Sequence, residues 1–218
     1  MRKFLVLSLL VLIVGTAAMA EVKTFQTVPN DAKNSVEFVS DATMERIVGR
    51  TSNIAGSLNV DVNDLMATKV GNFTVDLRTI DTGIAMRNGH LRDKYLHTEK
   101  NPNATFTLTK FVSSDKTGLK SGETAKTVAE GELSINGVSK TYQIPLTLTY
   151  SITNPEAQQR LYGSTGDILV ASGHWTVKLA DHQVERPQML MMRIAEDQEI
   201  SVGFALTDVL PPPKEEKK

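Results

Sequence analysis

Cysteine is absent from the 218 residues of this chain. Its absence excludes disulfides, thiol catalysis and thiolate metal sites, so stability has to come from packing and strand pairing. Neither sign of charge dominates, because 24 Lys and Arg stand against 25 Asp and Glu. Without a dense basic patch to hold phosphates, the sequence predicts no nucleic-acid partner.

Motifs of catalysis are missing as well. The chain has no Gly-x-Ser-x-Gly elbow, no phosphate-binding loop, and no His-Glu-x-x-His or His-x-His pattern among its 4 histidines. The sequence therefore predicts a protein that is not an enzyme and that has no metal site. A hydrolytic enzyme stays open as an alternative, because a fold can bring two distant carboxylates together.

The first twenty residues have the three-part plan of a secretory signal. A charged end at residues 2–3 is followed by an apolar run at 4–14 and a small-x-small cleavage box at 18–20. The apolar run is shorter than the roughly 20 residues that a bilayer-spanning helix requires. We therefore expect a signal peptide at 1–20, cleaved near Ala20, and a periplasmic or secreted protein.

The rest of the chain alternates polar and apolar residues in short runs, which is the period of a strand with one wet face. We predict one β domain over residues 21–210 and a disordered charged tail at 211–218. The predicted strands lie at 23–28, 35–40, 51–61, 70–80, 104–112, 168–179 and 199–209. One helical turn is predicted within 61–68, and polar loops are predicted at 113–127 and 154–167.

Asn136-Gly137 joins two alternating runs within residues 131–150. A two-residue Asn-Gly link is a strong hairpin signal, because both positions tolerate a positive φ. Pro145 lies inside the outgoing run and cannot donate to a strand ladder. It therefore predicts an edge or a bulge at that point.

Residues 78–106 interrupt the strand pattern. Ile84, Leu91 and Tyr95 recur at offsets of seven and four, which places them on one face of a short helix. A single helix among strands indicates a barrel or sandwich with one end covered, and we expect the helical plug to extend over residues 80–97.

Asp81 or Thr82 supplies the predicted N-cap oxygen of this helix, and Pro102 stops anything helical before the next strand. The count of about eight or nine short strands favours an all-β antiparallel barrel or sandwich over a parallel sheet. A barrel of about eight strands has an interior wide enough for side chains or for one small apolar ligand.

Several short motifs follow one another along the chain in a characteristic order and spacing. They are VEFVS at 36–40, a Val48-Gly49-Arg50 turn, TIDTG at 79–83, Arg87, His90-Leu91, Tyr95-Leu96, Asn101-Pro102, Thr105-Phe106 and GELSINGVSKTYQIPL at 131–146. Together they resemble the YceI-like family of exported polyisoprenoid-binding proteins, and the likeness spans most of the chain after residue 20.

The resemblance implies an eight-stranded antiparallel lipocalin-like β-barrel with one short helix plugging an end. Its long cavity would hold one isoprenoid chain, such as a quinone tail or a related lipid. The implied function is binding and carriage or sequestration of that lipid without catalysis. No cofactor is expected other than the bound isoprenoid or quinone-like molecule itself.

Apolar side chains that share one phase of the alternation are the predicted ligand-binding residues. Leu91 of the helix and Met191 of a later loop complete the set. The inward strand positions are Phe38, Phe73, Val75, Leu77, Phe106, Leu108, Leu133, Ile144, Leu146, Trp175, Val177 and Phe204. From the residues alone, the alternative is that these side chains pack against each other as an ordinary core.

Arg87 and His90 lie three residues apart and share a face if the segment is helical. We predict that they contact the polar head group of the ligand at the entrance. The alternative is that they hold the helix to the strands by structural hydrogen bonds.

The segment 181–198 is rich in methionine, and we predict that it forms a flexible apolar lid that gates the cavity. One alternative is a Cu(I) site in which Met189, Met191 and Met192 act with His182. Another is a packed interaction module that docks a partner through this loop. The expected partner is an isoprenoid or another apolar small molecule, and transient membrane contact and a homodimer are further expectations.

Overall fold

The computed structural model describes residues 22–28, 31–68, 70–152 and 155–210. The predicted signal peptide at 1–20 and the predicted tail at 211–218 lie outside these residues. Ten strands occur in the described part of the chain. They are β1 (Val22–Thr27), β2 (Ser35–Asp41), β3 (Arg46–Thr51), β4 (Ile54–Asp61), β5 (Val70–Asp76), β6 (Asn103–Ser114), β7 (Thr124–Ile135), β8 (Val138–Ser151), β9 (Ile168–Lys178) and β10 (Asp197–Thr207).

Eight of these strands form a closed antiparallel ring in the order β1-β4-β5-β6-β7-β8-β9-β10. The ring closes where Gln26 and Thr27 of β1 pair with Thr207 and Leu206 of β10. Over the first part of β10, its partner on this side is β2 instead of β1, and β2 in turn pairs with β3. Closure removes the exposed sheet edges that an open sheet would present. The prediction of an eight-stranded antiparallel barrel is confirmed.

The hairpin of β7 and β8 forms where the sequence predicts it. Asn136 and Gly137 both have a positive φ, 53° and 75°, and Ile135 pairs with Val138 across the turn. Pairing of β8 with β9 begins only at Leu146, so residues 138–145 of β8 are paired on one side alone. Pro145 therefore stands at the end of an edge, as predicted.

Helix α1 (Ala85–His90) continues into one π-helical turn, Leu91–Tyr95, and covers one end of the barrel. The predicted N-cap is wrong: the helix begins after Ile84, which has no side-chain cap. The side chain of Asn88 instead ties the preceding loop. Its Oδ1 accepts from the N–H and hydroxyl of Thr82, and its Nδ2 donates to Asp81.

Two predicted loops differ from the structure, and one predicted helical turn agrees with it. The polar loop is shorter than 113–127, because β6 continues to Ser114 and β7 already begins at Thr124. Ser113, Thr124 and Lys126 of these strands are exposed, so this part of the sequence resembles a loop. Helix α2 (Pro155–Tyr162) occupies most of the predicted loop at 154–167. The predicted helical turn within 61–68 is confirmed as a 3₁₀ turn, Leu65–Ala67.

The predicted turn at Val48-Gly49-Arg50 is also wrong, because these residues lie inside β3. Gly49 pairs with Phe38 of β2, and the phenyl ring lies over the glycine. A Cβ on residue 49 would come within 2.2 Å of that ring. Glycine is needed here for close packing against Phe38 rather than for turn geometry.

Two groups of buried side chains divide the interior. The lower core fills the closed end of the barrel and includes Phe25, Leu58, Phe111, Tyr150 and Leu206. The upper cluster lies beneath the helical plug and consists of Leu77, Ile80, Leu96 and Val184, with Phe38, Leu91, Tyr95, Ala104, Ile135 and Leu179 packed against it. The space between the two groups is the candidate site.

No helix in the described ranges combines the length and the apolar character that crossing a membrane requires.

Candidate ligand-binding cavity

An inner cavity lies between the lower core and the upper cluster. It has about 1340 Å³ of empty space, including open solvent at its mouth. All but four of the residues that line it are apolar or glycine, the exceptions being Glu37, Thr105, His182 and Gln198. Walls of this kind suit an apolar ligand that needs few directional contacts.

Most of the side chains predicted to face the interior line this inner cavity. They are Phe38, Phe73, Val75, Leu77, Leu91, Phe106, Leu133, Ile144, Leu146, Trp175, Val177 and Phe204. The period of two therefore identified the correct face of each of these strands. Val36, Ile200 and Val202 line the same cavity. The same period would have identified them, since they lie an even number of residues from Phe38 or Phe204 and so share their face of the strand.

The floor of the inner cavity is formed by aromatic rings. Phe73 and Phe204 lie in contact there, with ring centroids 5.2 Å apart. Leu108, predicted to bind ligand, lies below this floor in the lower core, where it is 5% exposed and does not line the inner cavity. Close packing and an open cavity thus occur in the same barrel, one above the other.

Trp175 is the single tryptophan of the chain, and it lines the inner cavity from β9. Its indole nitrogen is buried and has no hydrogen-bond partner among the described residues. An unpaired buried donor costs about 1–3 kcal/mol. Trp175 therefore contributes apolar surface to the wall and no stabilising hydrogen bond within the described chain.

A second space, the outer chamber, lies between helix α1, the turn of the β2–β3 hairpin and the loop after β9. It has about 1210 Å³ of empty space, including open solvent at its mouth. The two spaces lie next to each other, with six residues lining both: Phe38, Leu91, Leu96, Leu179, Val184 and Gln198. The outer chamber also has polar walls, which include Ser40, Glu45, Arg87, His90 and Arg193.

Arg87 lines the outer chamber, but each nitrogen of its guanidinium donates a hydrogen bond to the protein. Nε donates to the Thr82 hydroxyl at 2.9 Å, Nη2 to the Thr82 carbonyl at 2.7 Å, and Nη1 to Glu45 at 2.8 Å. This geometry favours the structural alternative for Arg87, which fixes the plug to the β2–β3 hairpin. His90 is exposed and lines the same chamber.

Glu45 joins the three segments around the outer chamber. Its two carboxylate oxygens accept from Arg87 of helix α1 and from Nε and Nη2 of Arg193, each at 2.8 Å. About a quarter of the Glu45 side chain is exposed. Sequence reasoning missed Glu45, because a carboxylate in a hairpin turn ordinarily signals only a solvated loop.

The Met-rich loop reaches the outer chamber through side chains other than its methionines. Leu190, Arg193 and Ile194 line the chamber. Met191, predicted to bind ligand, is 47% exposed and lines neither space, and Met189 is 88% exposed. The loop therefore walls the chamber with one set of residues and presents another set to water.

His182 is unavailable for the copper site considered as an alternative. The imidazole is 1% exposed, with Nδ1 donating to the Val138 carbonyl at 2.8 Å and Nε2 lying 3.1 Å from the Tyr142 hydroxyl. These bonds close the gap that the unpaired part of β8 leaves in the barrel wall. Burial, with the nearby charge of Asp181, raises the pKa of Tyr142. Across the described ranges, no group of three or more His, Cys, Asp or Glu is arranged to hold a metal ion.

The closed end of the barrel is held by a buried hydroxyl and an ion pair. Tyr150 is 2% exposed, and its hydroxyl donates to Asp167 Oδ2 at 2.5 Å. Lys23 donates to the same oxygen at 2.8 Å. Burial, followed by the bond to the Asp167 carboxylate, raises the pKa of Tyr150 to about 12.

Known proteins share both the sequence and the architecture of this chain. A family model described as YceI-like domain matches residues 28–206. A UPF0312 protein of Vibrio vulnificus is 30% identical over 162 residues, which is 73% of this chain and 81% of that protein. A UPF0312 protein of Photorhabdus laumondii is 38% identical over 95 residues, 43% of this chain and 44% of that protein.

Solved structures show the same fold at lower sequence identity. A polyisoprenoid-binding domain from Saccharophagus degradans superposes with a TM-score of 0.63 at 16% identity, covering 86% of this chain and 99% of that one. BcnA of Burkholderia cenocepacia gives a TM-score of 0.61 at 18% identity, covering 80% and 96%. With the family model spanning nearly the whole barrel, the chain belongs to the YceI-like domain family.

Proposed function

We propose that this protein binds a polyisoprenoid or a similar amphiphile inside its barrel and carries or sequesters it without catalysis. The observation that carries the proposal is the contiguity of the two spaces. An apolar inner cavity adjoins an outer chamber that has polar walls. An amphiphile has the same order of parts, with an apolar tail and a polar head.

Apolar burial supplies enough free energy for such binding. Each buried CH₂-sized group contributes about 0.8 kcal/mol, so one five-carbon isoprene unit contributes up to roughly 4 kcal/mol. Association and ordering cost an estimated 4–15 kcal/mol. A ligand that buries several isoprene units therefore binds without any polar contact in the inner cavity.

The outer chamber is the place for the head group. Arg87 is hydrogen-bonded to Thr82 and Glu45. We therefore assign contact with the head group to His90, Glu185 and Arg193, which line the same chamber. The Saccharophagus degradans neighbour, described as a polyisoprenoid-binding domain, supports an isoprenoid as the tail. The predicted signal peptide supports a periplasmic or secreted location for this carrier.

The test is mass spectrometry of an organic extract of the purified protein, made in a bacterial host with residues 1–20 intact. We expect one isoprenoid-type lipid in near-equimolar amount. Titration of emptied protein with a short isoprenol should change the fluorescence of Trp175, the only tryptophan. A blank extract and an unchanged fluorescence after incubation with isoprenols and quinones would show that the barrel does not take this class of ligand.

A further inference from the structure

Six large apolar side chains stand in water around the mouth of the outer chamber. Ile84 and Met86 line the chamber directly, and the others are chain neighbours of residues that line it. We call this set the mouth rim, and it consists of Met44, Ile84, Met86, Met189, Met191 and Met192. It contains half of the large hydrophobic side chains that are exposed in the described chain. Such a concentration marks a surface for an apolar partner.

Hydrogen bonds hold the three segments of the mouth rim together. The N–H of Met44 donates to the carbonyl of Met192 at 2.8 Å. Glu45, next to Met44, accepts from Arg87 of helix α1 and from Arg193 of the Met-rich loop. The rim is therefore one connected surface and not a set of unrelated exposed residues.

The chemistry of the mouth rim identifies its partner. Five of its six residues are methionine, whose unbranched side chain adapts to surfaces without a fixed shape. The carboxylate at its centre, Glu45, is paired with two arginines, which leaves this cluster with one net positive charge. A surface that is apolar, adaptable and weakly cationic is suited to the head groups and acyl boundary of a lipid bilayer more than to a protein with fixed contours.

We infer that the mouth rim docks the barrel onto a lipid membrane and that the ligand enters the outer chamber directly from the bilayer. The inference rests on the proposed function for the second step, because a long isoprenoid is dissolved in membranes and not in water. Ile84 and Met86 belong both to the rim and to the chamber wall, so the apolar surface of the rim continues into the outer chamber.

The test compares two triple variants of the exported chain in flotation with phosphatidylcholine vesicles. The rim variant carries Met44→Gln, Met189→Gln and Met192→Gln, three exposed side chains that line neither space. The matched control carries Val22→Gln, Met66→Gln and Ile152→Gln, which replace three apolar side chains that are 60%, 43% and 57% exposed at the closed end. We expect the rim variant to lose at least tenfold in vesicle binding and the control to float like wild type.

A second readout separates docking from ligand binding. A short isoprenol dispersed in detergent should change Trp175 fluorescence equally in wild type and in the rim variant, whereas transfer from vesicles should be slowed only in the rim variant. Failure of wild type to float, with normal uptake from detergent, would overturn docking and leave the proposed function standing. Flotation without uptake of any isoprenol would support docking and refute the proposed function.

Sedimentation tests whether a second copy of this chain, instead of a membrane, covers the mouth rim. If sedimentation shows a wild-type dimer that the rim variant dissociates, and wild type does not float, a second copy covers the rim and the membrane inference is overturned. A monomer that floats confirms it.

Discussion

Replacement of Ala104 by leucine tests whether the inner cavity is empty space or packed core. Ala104 lies at the start of β6, lines the inner cavity and packs at the edge of the upper cluster. Leucine adds three carbon atoms at a position where the structure has unfilled volume. In a packed core the same change would force neighbours off their preferred rotamers.

The two possibilities differ in the sign of the stability change. Filling empty space buries about three CH₂-sized groups and stabilises the fold by up to roughly 2.4 kcal/mol. Overpacking destabilises a core by typically about 1–3 kcal/mol. A ligand can no longer occupy the volume that the new leucine fills. It therefore loses a similar amount of binding free energy, and its affinity falls by roughly 50-fold.

Urea unfolding followed by circular dichroism measures the stability, and Trp175 fluorescence measures the affinity for a short isoprenol. The matched control is Ala129→Leu, because Ala129 is fully buried in the lower core and lines neither space. We expect Ala129→Leu to lower the urea midpoint while Ala104→Leu leaves it unchanged or raises it. Equal destabilisation of both variants would refute the reasoning, because the cavity would then be closed in solution.

Three further changes follow from single contacts. Glu45→Gln weakens the charge-assisted bonds to two arginines, so we expect about 1–3 kcal/mol lower stability and faster hydrogen exchange in helix α1, measured by mass spectrometry. His182→Ala removes two buried hydrogen bonds and opens the wall beside β8, for which we expect a loss of about 2–4 kcal/mol in urea unfolding and no change in Cu(I) uptake. Tyr150→Phe abolishes a stability loss that wild type shows between about pH 10 and pH 12, measured as the urea midpoint against pH.

The sign of the pH effect follows from the raised pKa of Tyr150. The folded state holds the phenolic proton more tightly than the unfolded chain, so this contribution is complete below about pH 10 and is lost as the pH rises through the folded pKa. If the urea midpoint of wild type fell no more steeply above pH 10 than that of Tyr150→Phe, this prediction would be contradicted. For Glu45→Gln the control is Glu132→Gln, an exposed carboxylate of β7 that lines neither space, and an equal loss of stability in both variants would contradict the prediction. For His182→Ala, tight copper uptake by wild type that is lost in the variant would revive the metal alternative.

Much of the barrel could be predicted from the sequence, because each strand buries one face and so alternates with a period of two. Phe73, Val75 and Leu77 lie as that period requires, and Asn136-Gly137 turns where its tolerance of positive φ requires. The same rule could not separate cavity from core. Leu108 and Phe106 alternate in the same phase of β6, yet one lies in the lower core and the other in the cavity wall.

Sequence reasoning placed helix α1 but not the contacts that hold it. Thr82 and Asp81 are ordinary capping residues, yet they bond to the side chain of Asn88 and leave the helix start at Ile84 without a side-chain cap. These bonds depend on where the loop before the helix meets β3, which local residues do not determine.

The sequence by itself determined the strand pattern, the hairpin, the short helix and the family, because these follow from local alternation, turn chemistry and motif order. Only the tertiary structure decided that the barrel is unfilled beneath its plug, that Glu45 ties three distant segments, and that His182 is a wall residue and not a ligand. Each of these depends on which side chains from separate strands and loops come into contact. The periodicity of a single segment does not determine such long-range contacts.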